Sequence, residues 1–293
     1  MTCPEIDKAY RHFIEVELNH PRPSQIEYIG INFCELESTP PVFKCYYSTK
    51  ESLESKAELL QPFAERNMIH AVNMIYDTQH CNRTRYEIGL ANRDNDNMAW
   101  LNHWVGNAFD LSTRQKKELD ILANLPCCSI DNYRYAALYY LGFIAKTKTP
   151  FPLEAIKMHY ILRSCEDPNK IGKNYYVDSE AVLRFFGNSG IMAFETLAAV
   201  LRTIVSKENE LWMAAVDYFA MPGAGAKYKI YLKDRGGVFL SSLEELVTSL
   251  GLFHLSEQLN AFSAWLSMQD SLKLYGGAVC LTDRGEWSVN CYM

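Results

Sequence analysis

No apolar run in this sequence approaches the roughly 20 residues needed to cross a bilayer as a helix. Its first residues, MTCPEIDKAYRHF, are charged where a secretory signal would be apolar. It has no C-x-x-C pair. Nine scattered cysteines, with Cys127 and Cys128 adjacent, read as reduced thiols rather than a disulfide framework or a zinc site. These absences give the expectation of a cytoplasmic protein with no membrane segment. Nor is there a basic surplus: 29 Lys and Arg stand against 35 Asp and Glu, a net charge of −6. A nucleic-acid partner leaves a footprint of the opposite sign.

What the sequence does have is aromatic. Phe, Trp and Tyr make up 13% of it, and tyrosine (18) outnumbers phenylalanine (14) and tryptophan (5). A buried tyrosine hydroxyl needs a partner, so this surplus points to a polar, aromatic-lined interior. With 48% apolar residues in 293, the chain can bury a sizeable core, while length alone leaves one or two domains open.

A repeat decides between them. Five segments show an extended run, a turn and a second extended run: Gln25–Ser48, Ile69–Ala91, Tyr133–Arg163, Leu211–Lys233 and Leu274–Met293. Each is rich in β-branched and aromatic residues broken by Pro, Gly, Asn or Asp, the pattern of a hairpin. Helical spacing fills the intervals. Lys50–Asn67 sets Leu53, Ala57, Leu60 and Ala64 on one stripe, and Ala99–Leu125 holds two helices, the second opened by a capping box at Ser112 and Gln115. Asp178–Glu208 reads as a helix pair broken near Gly187–Gly190, and Ser241–Asp270 as another, opened by Ser241 and Glu244 and broken at Gly251. Ten antiparallel strands leave exposed edges unless the sheet closes. The expected fold is therefore α+β: a ten-stranded antiparallel barrel inside a ring of helices, one domain over residues 1–293. The alternative is an open sheet with helices on one face.

The second strand of each hairpin repeats one motif. Lys44-Cys45-Tyr46, Lys157-Met158-His159, Lys229-Ile230-Tyr231 and Asn290-Cys291-Tyr292 all read polar-x-polar, with Arg85-Tyr86-Glu87 a weaker fifth. Side chains alternate along a strand, so both polar members share a face and the apolar middle residue takes the other. With the apolar face under the helices, Lys44, Arg85, Lys157 and Lys229 converge inside the barrel beside Tyr46, His159, Tyr231 and Tyr292. Buried cations need an anion. A diphosphate, with several charges and many acceptor oxygens, suits them. Tyrosine rings can also wall off a carbocation through their π-faces. The alternative for each position is a solvated sheet face.

On KMH at Lys157–His159, YKIY at Tyr228–Tyr231 and VNCY at Val289–Tyr292, within hairpins alternating with helices along essentially the whole chain, the sequence resembles the ABBA prenyltransferases. The compact length and the KMH-type strand look most like their cyanobactin branch, which modifies macrocyclic peptides. The resemblance implies transfer of a dimethylallyl or geranyl group from its diphosphate to a nucleophilic side chain of a cyclic or linear peptide. Lys44, Arg85, Lys157, Lys229, His159 and Asn290 would hold the diphosphate, and Tyr46, Tyr231 and Tyr292 would shield the cation. Glu27 occupies the place of the family's acid on the first strand, where it would orient or deprotonate the acceptor. Simple alternation from Glu27 turns Ile29 and Ile31 inward as well. A bulge restores the pattern, or Glu35 or Glu37 takes the role. Asp217, isolated in Ala214–Phe219, is a second candidate acid for a cationic or N–H acceptor, or else a hydrogen-bonding residue near a strand end. There is no DDxxD cluster of the metal-dependent isoprenyl synthases, although Mg2+ can accompany the diphosphate. A monomer is expected, and a chain ending on its last strand at Met293 favours a large acceptor.

Three further readings complete the expectations. Pro222–Lys227 lacks Walker spacing and reads as a hairpin turn, and Asn92–Asn97 lacks the Gly and Glu of a calcium loop and reads as a polar loop. Ala214, Ala215, Gly276 and Gly277 leave room for a longer isoprenoid or fit strand against helix. The competing functions are prenylation of a free indole or phenol on the same fold, and a barrel that binds lipid without catalysis.

Overall fold

The computed structural model describes residues 2–18, 26–35, 42–47, 57–76, 83–92, 94–109, 111–123, 129–130, 133–134, 138–146, 149–161, 196, 209–220, 225–234 and 236–293. The strands are β1 (Ile26–Cys34), β2 (Val42–Tyr47), β3 (Ile69–Tyr76), β4 (Arg83–Leu90), the two-residue β5 (Ser129–Ile130) and β6 (Tyr133–Arg134), β7 (Leu138–Lys146), β8 (Thr149–Ile161), β9 (Asn209–Phe219), β10 (Ala226–Asp234), β11 (Gly276–Thr282) and β12 (Trp287–Tyr292). The helices are α1 (Cys3–Leu18), α2 (Ala57–Glu65), α3 (Asn95–Ala108), α4 (Thr113–Ala123), α5 (Phe239–Ser249) and α6 (Phe253–Leu266). The helix pair expected in Asp178–Glu208 lies outside the described residues, Thr196 apart.

All five expected hairpins form, and they join into one ten-stranded antiparallel sheet in the order β2-β1-β12-β11-β10-β9-β8-β7-β4-β3. Its end strands β2 and β3 lie side by side, although no ladder between them is among the described pairings. The sheet thus curls into a barrel that is not strictly closed.

Alternation sorts the side chains into two sets. Ile31, Phe33, Leu141, Phe143, Ile156, Met158, Val216, Ile230, Val279 and Cys291 join the core that the helices cover. Met213, Ala215, Tyr231, Ala278, Cys280 and Tyr292 form a second cluster, with Tyr28 and Tyr140 packed against it. The second cluster is the barrel interior. Under the helices, Trp265 of α6 is fully buried against Tyr10 of α1 and Phe43 of β2, and donates its indole N–H to Asp7. On the other flank Phe63 of α2 packs edge-on against Trp100, Trp104 and Phe143, which ties α2 and α3 to β7.

The helix boundaries correct several expectations. Among the described side chains of α2, Leu59, Leu60 and Phe63 are buried and Ala64 faces solvent; Leu53 and the Ala57 side chain of the expected stripe lie outside them. Burying the larger Phe63 ring removes more apolar area than Ala64 offers, and that turns the helix. The reciprocal bonds of Ser112 and Gln115 cap α4 as expected, at 3.0 and 3.2 Å. Asn92–Asn97 is not a loop throughout: Asp94 caps α3, its side chain accepting from the Asn97 amide at 2.8 Å, so the helix starts four residues before Ala99. Ser241 does not cap α5, which begins at Phe239. Asp234 serves that end instead, accepting from the Gly237 and Val238 amides, and Ser241 turns back to the Val238 carbonyl. The break at Gly251 (φ +72°) stands where expected, between α5 and α6.

The small residues also divide. Ala214 joins the helix-covered core, and a Cβ at Gly277 would overlap the Asn290 carbonyl and the Phe239 ring. Gly276 has φ +153°, and a Cβ there would overlap the Leu232 carbonyl. Those three are small for packing or backbone reasons; Ala215, with Ala278, opens into the barrel. Gly277→Ala is therefore expected to destabilise the fold by about 1–3 kcal/mol, the range of overpacking substitutions, read as a lower midpoint in thermal denaturation.

Candidate functional site

Adjacent strands alternate in direction, so the second strands of the hairpins, β2, β4, β8, β10 and β12, all run the same way through the barrel. On four of them the polar-x-polar motif places a cation or amide first and an aromatic ring second: Lys44 then Tyr46, Lys157 then His159, Lys229 then Tyr231, Asn290 then Tyr292. A sequence motif repeated on parallel-running strands therefore becomes two bands, a cationic band toward one end and an aromatic band toward the other. Tyr28 and Tyr140, near the starts of β1 and β7, fall in the aromatic band by running the opposite way.

Register brings the cationic band together. Lys157 pairs Asp217, and Asp217 pairs Lys227, across β8, β9 and β10; one row on, His159, Ala215, Lys229, Cys280, Ser288 and Cys34 align across six strands. Asp217 is 2% exposed. Its Oδ2 takes the Lys229 ammonium in a short ion pair and the Lys157 ammonium at 3.3 Å. Burial favours the neutral acid, but the two ammonium groups outweigh it and hold the carboxyl well below the usual range. Asp217 is thus a fixed anion that gathers two lysines, and in that state it has no proton to give. Burial disfavours the Lys229 ammonium, yet Asp217 reverses this and raises its pKa. Lys157 ends on the other side: burial, with Lys229, Arg85 and Lys44 adding to it, lowers its pKa well below that of a free lysine despite Asp217.

Arg85 ion-pairs with Glu87 two residues along β4, and its Nη2 lies 3.5 Å from His159 Nε2. His159 is 3% exposed. Burial first, then Arg85, pushes it far toward the neutral form. The aromatic band is in contact: Tyr28 meets Tyr292 edge-on at 5.7 Å, Tyr292 stacks on Tyr231 at 6.2 Å, and Tyr231 lies 5.8 Å from the His159 ring. Asn32 donates to Asn290 Oδ1 at 2.6 Å, and Asn290 donates to Cys280 Sγ at 3.2 Å.

On β1, Ile26 pairs Tyr47 and Tyr28 pairs Tyr46, so the strand carries one extra residue, Glu27, at a bulge. Beyond it Ile31 and Phe33 belong to the helix-covered core and Asn32 to the interior, so the strand's alternation is set after the bulge. The Glu27 and Tyr46 side chains lie outside the described residues, as does Glu37; Glu35 closes the far end of β1 by donating its amide to the Trp287 carbonyl. Lys44 pairs Gly30 in register.

Sequence reasoning missed Lys227, which shares the face of Lys229 and acts electrostatically on the Cys34 thiol of β1. It was absorbed into the glycine-rich turn, whose residues 221–224 lie outside the described set. Stepping the polar-x-polar alternation back by two from Lys229 finds it. Tyr28, Tyr140 and Asn32 were missed because they sit on first strands. Among the described interior side chains, five cations (Lys44, Arg85, Lys157, Lys227, Lys229) stand against two carboxylates (Glu87, Asp217).

No protein-family model matches the sequence, and no curated protein matches it. Solved structures do match the fold. The crystal structure of 5-dimethylallyltryptophan synthase from Streptomyces coelicolor aligns with a TM-score of 0.51 at 10% identity, over 91% of this chain and 80% of that one. The fold is the ABBA prenyltransferase barrel. The 6-dimethylallyltryptophan synthase from Micromonospora olivasterospora, in complex with DMASPP and Trp, aligns at 0.50 and 12% identity over 94% and 86%. NotF in complex with brevianamide F and DMSPP aligns at 0.53 and 10% identity over 90% and 78%. No helix among the described residues is long and apolar enough to cross a membrane.

Proposed function

We propose that this chain is a prenyltransferase that moves a dimethylallyl or geranyl group from its diphosphate to a nucleophilic side chain of a peptide, as in cyanobactin-type modification. The observation that carries this reading is the two-band interior. Lys44, Arg85, Lys157, Lys227 and Lys229, with His159 and Asn290 beside them, suit a diphosphate. Tyr28, Tyr140, Tyr231 and Tyr292, with Tyr46 on the same strand as Lys44, suit the isoprenyl group one step further along. As the allylic C–O bond breaks, negative charge grows on the leaving diphosphate, where fixed cations stabilise it without reorganising. The allyl cation is left among tyrosine π-faces that exclude water. The acceptor then attacks that carbon and loses a proton, for which Glu27 is the proposed base. The two solved dimethylallyltryptophan synthases support a second acceptor, a free aromatic amino acid or metabolite.

Among the described residues no group of three or more His, Cys, Asp or Glu gathers to hold a metal, and both interior carboxylates are tied to cations. Any Mg2+ would thus be held by the diphosphate oxygens and water. We take the chain as one domain, working as a cytoplasmic monomer.

The test is incubation with dimethylallyl or geranyl diphosphate and peptides bearing Tyr, Trp, His or Arg. A product heavier by one isoprenyl unit is expected. If neither peptides nor small aromatics gain that mass, the reading fails, and tight isoprenoid binding without turnover would mark a lipid carrier instead. Glu27→Gln is expected to slow transfer by about 10²–10⁴-fold, the usual worth of a general base, with donor affinity unchanged in a direct binding assay.

A further inference from the structure

One second strand breaks the aromatic band. Where β2, β8, β10 and β12 carry Tyr46, His159, Tyr231 and Tyr292 two residues after the cation or amide, β4 carries Glu87 after Arg85. Glu87 pairs Gly142 of β7, and Gly142 pairs Lys157 of β8, so the carboxylate stands on the interior face. A run of contacts joins it to the rings. Arg85 Nη2 holds Glu87 Oε1 in a short ion pair and lies 3.5 Å from His159 Nε2. The His159 ring lies 5.8 Å from that of Tyr231, which stacks on Tyr292. Gly142 allows the first of these links. A Cβ there would stand 3.1 Å from Arg85 Nε, so the guanidinium crosses β7 over a residue without a side chain.

A carboxylate is a poor member of a shield whose other members are rings that exclude water. It is also a poor neighbour for a diphosphate, which it repels. A guanidinium has five N–H donors and can face two anions at once. Once a diphosphate engages Arg85, however, one positive charge is divided between a polyanion and Glu87. Both side chains of the pair are only 15% exposed, and a carboxylate so far from water needs a positive partner. The donor, a diphosphate on a hydrocarbon tail, brings none. The acceptor is the reactant that enters among the rings.

We propose that Glu87 selects an acceptor carrying a positively charged N–H group, a guanidinium or an ammonium, and exchanges Arg85 for that group when the diphosphate binds. This rests on the prenyl-transfer reading, which gives Arg85 to the diphosphate and the aromatic band to the acceptor. Arg85, His159 and Asp217 stay with the anion site, and the acceptor meets Glu87 from the ring side. Each ligand takes one member of the ion pair, so each strengthens the binding of the other by the same factor.

The test is calorimetric binding of the cyclic dipeptide of tryptophan and arginine beside its citrulline counterpart, which has the same shape and no charge. Both are titrated with and without saturating inorganic diphosphate. With diphosphate the arginine ligand is expected to bind at least about tenfold tighter than the citrulline one, within the worth of a hydrogen bond to a charged group. Without diphosphate the preference shrinks, because Arg85 holds Glu87. Glu87→Gln, which keeps the shape, and Glu87→Tyr, which gives β4 the ring of the other strands, each abolish the preference. Neither weakens the binding of diphosphate itself, since a like charge has gone. Equal affinity for the two dipeptides in the unsubstituted protein overturns the proposal. So does a preference that persists in either variant, which would mean that arginine pairs with the diphosphate directly. Prenylation of a tryptophan or tyrosine peptide that lacks Arg and Lys, read by mass, shows separately whether prenyl transfer stands.

Discussion

Lys229→Ala is expected to weaken binding of dimethylallyl diphosphate by about thirty- to several-thousand-fold. Truncating one member of a buried charge pair with its ligand costs about 2–5 kcal/mol, and about 1.4 kcal/mol is a decade in affinity. Lys229 is the cation to choose because it is 5% exposed and Asp217 raises its pKa, so it stays charged throughout the working range. Lys157 behaves differently. Burial and the neighbouring cations lower its pKa and an arriving anion raises it again, so binding takes up a proton wherever the pH lies above the lowered value. Donor binding is then favoured as pH falls and weakens as pH rises, by up to tenfold per pH unit above the depressed pKa of Lys157. Lys157→Met removes that slope and costs less affinity than Lys229→Ala. Lys233→Ala serves as a control, since that side chain lies over the Tyr275 ring at the edge of the barrel, 5.6 Å from its centroid. Titration calorimetry at several pH values checks all three. Unchanged donor affinity in both Lys229→Ala and Lys157→Met would remove the anion site from the interior.

Most of the fold was legible because hairpins are local. A β-branched run, a turn and a second run can be read within two dozen residues, and their alternation with helices leaves few ways to close ten strands. The polar-x-polar motif was legible for the same reason, since alternation is a property of the single strand. Charge partnership was not. Asp217 reads in sequence as an isolated acid, because Lys157 and Lys229 reach it only through the ladders on either side of β9. Lys227 was hidden by its neighbours: a Gly-Ala-Gly-Ala stretch marks a turn, and the strand begins one residue sooner, at Ala226. The helix ends failed where capping is non-local. Asp234, at the end of a strand, does for α5 what Ser241 was expected to do from within it. The bulge at Glu27 is likewise a matter of register between two strands, which no single strand reveals.

Asp217→Ala is expected to be the most destabilising single change in the interior, and inorganic diphosphate is expected to reverse much of it. Removing one partner from a buried ion pair costs about 3–5 kcal/mol, because the remaining charge is left uncompensated. Here two ammonium groups depend on one Oδ2 atom. The sign of the pH dependence follows from the shifts. Asp217 has a folded-state pKa below its ordinary 3.8, so its stabilisation is present above that value and is lost as pH falls toward the folded-state pKa. Lys229, raised above its ordinary 10.5, contributes fully below that value and fades as pH rises through its folded-state pKa. From these two groups the gap between the two proteins is flat through neutral pH and narrows in acid. Diphosphate supplies to the variant the negative charge that the carboxylate no longer does. A ligand bound only by the folded state at a hundred times its dissociation constant stabilises it by about 2.7 kcal/mol. Asp217→Ala should bind diphosphate more tightly than the unsubstituted protein does, because its lysines have no internal anion, and so gain more at equal concentration. Urea denaturation at neutral pH, with and without diphosphate, reads both effects. Destabilisation without rescue would mean that Lys157 and Lys229 serve the carboxylate alone; rescue means that Asp217 stands in for the anion until the donor arrives.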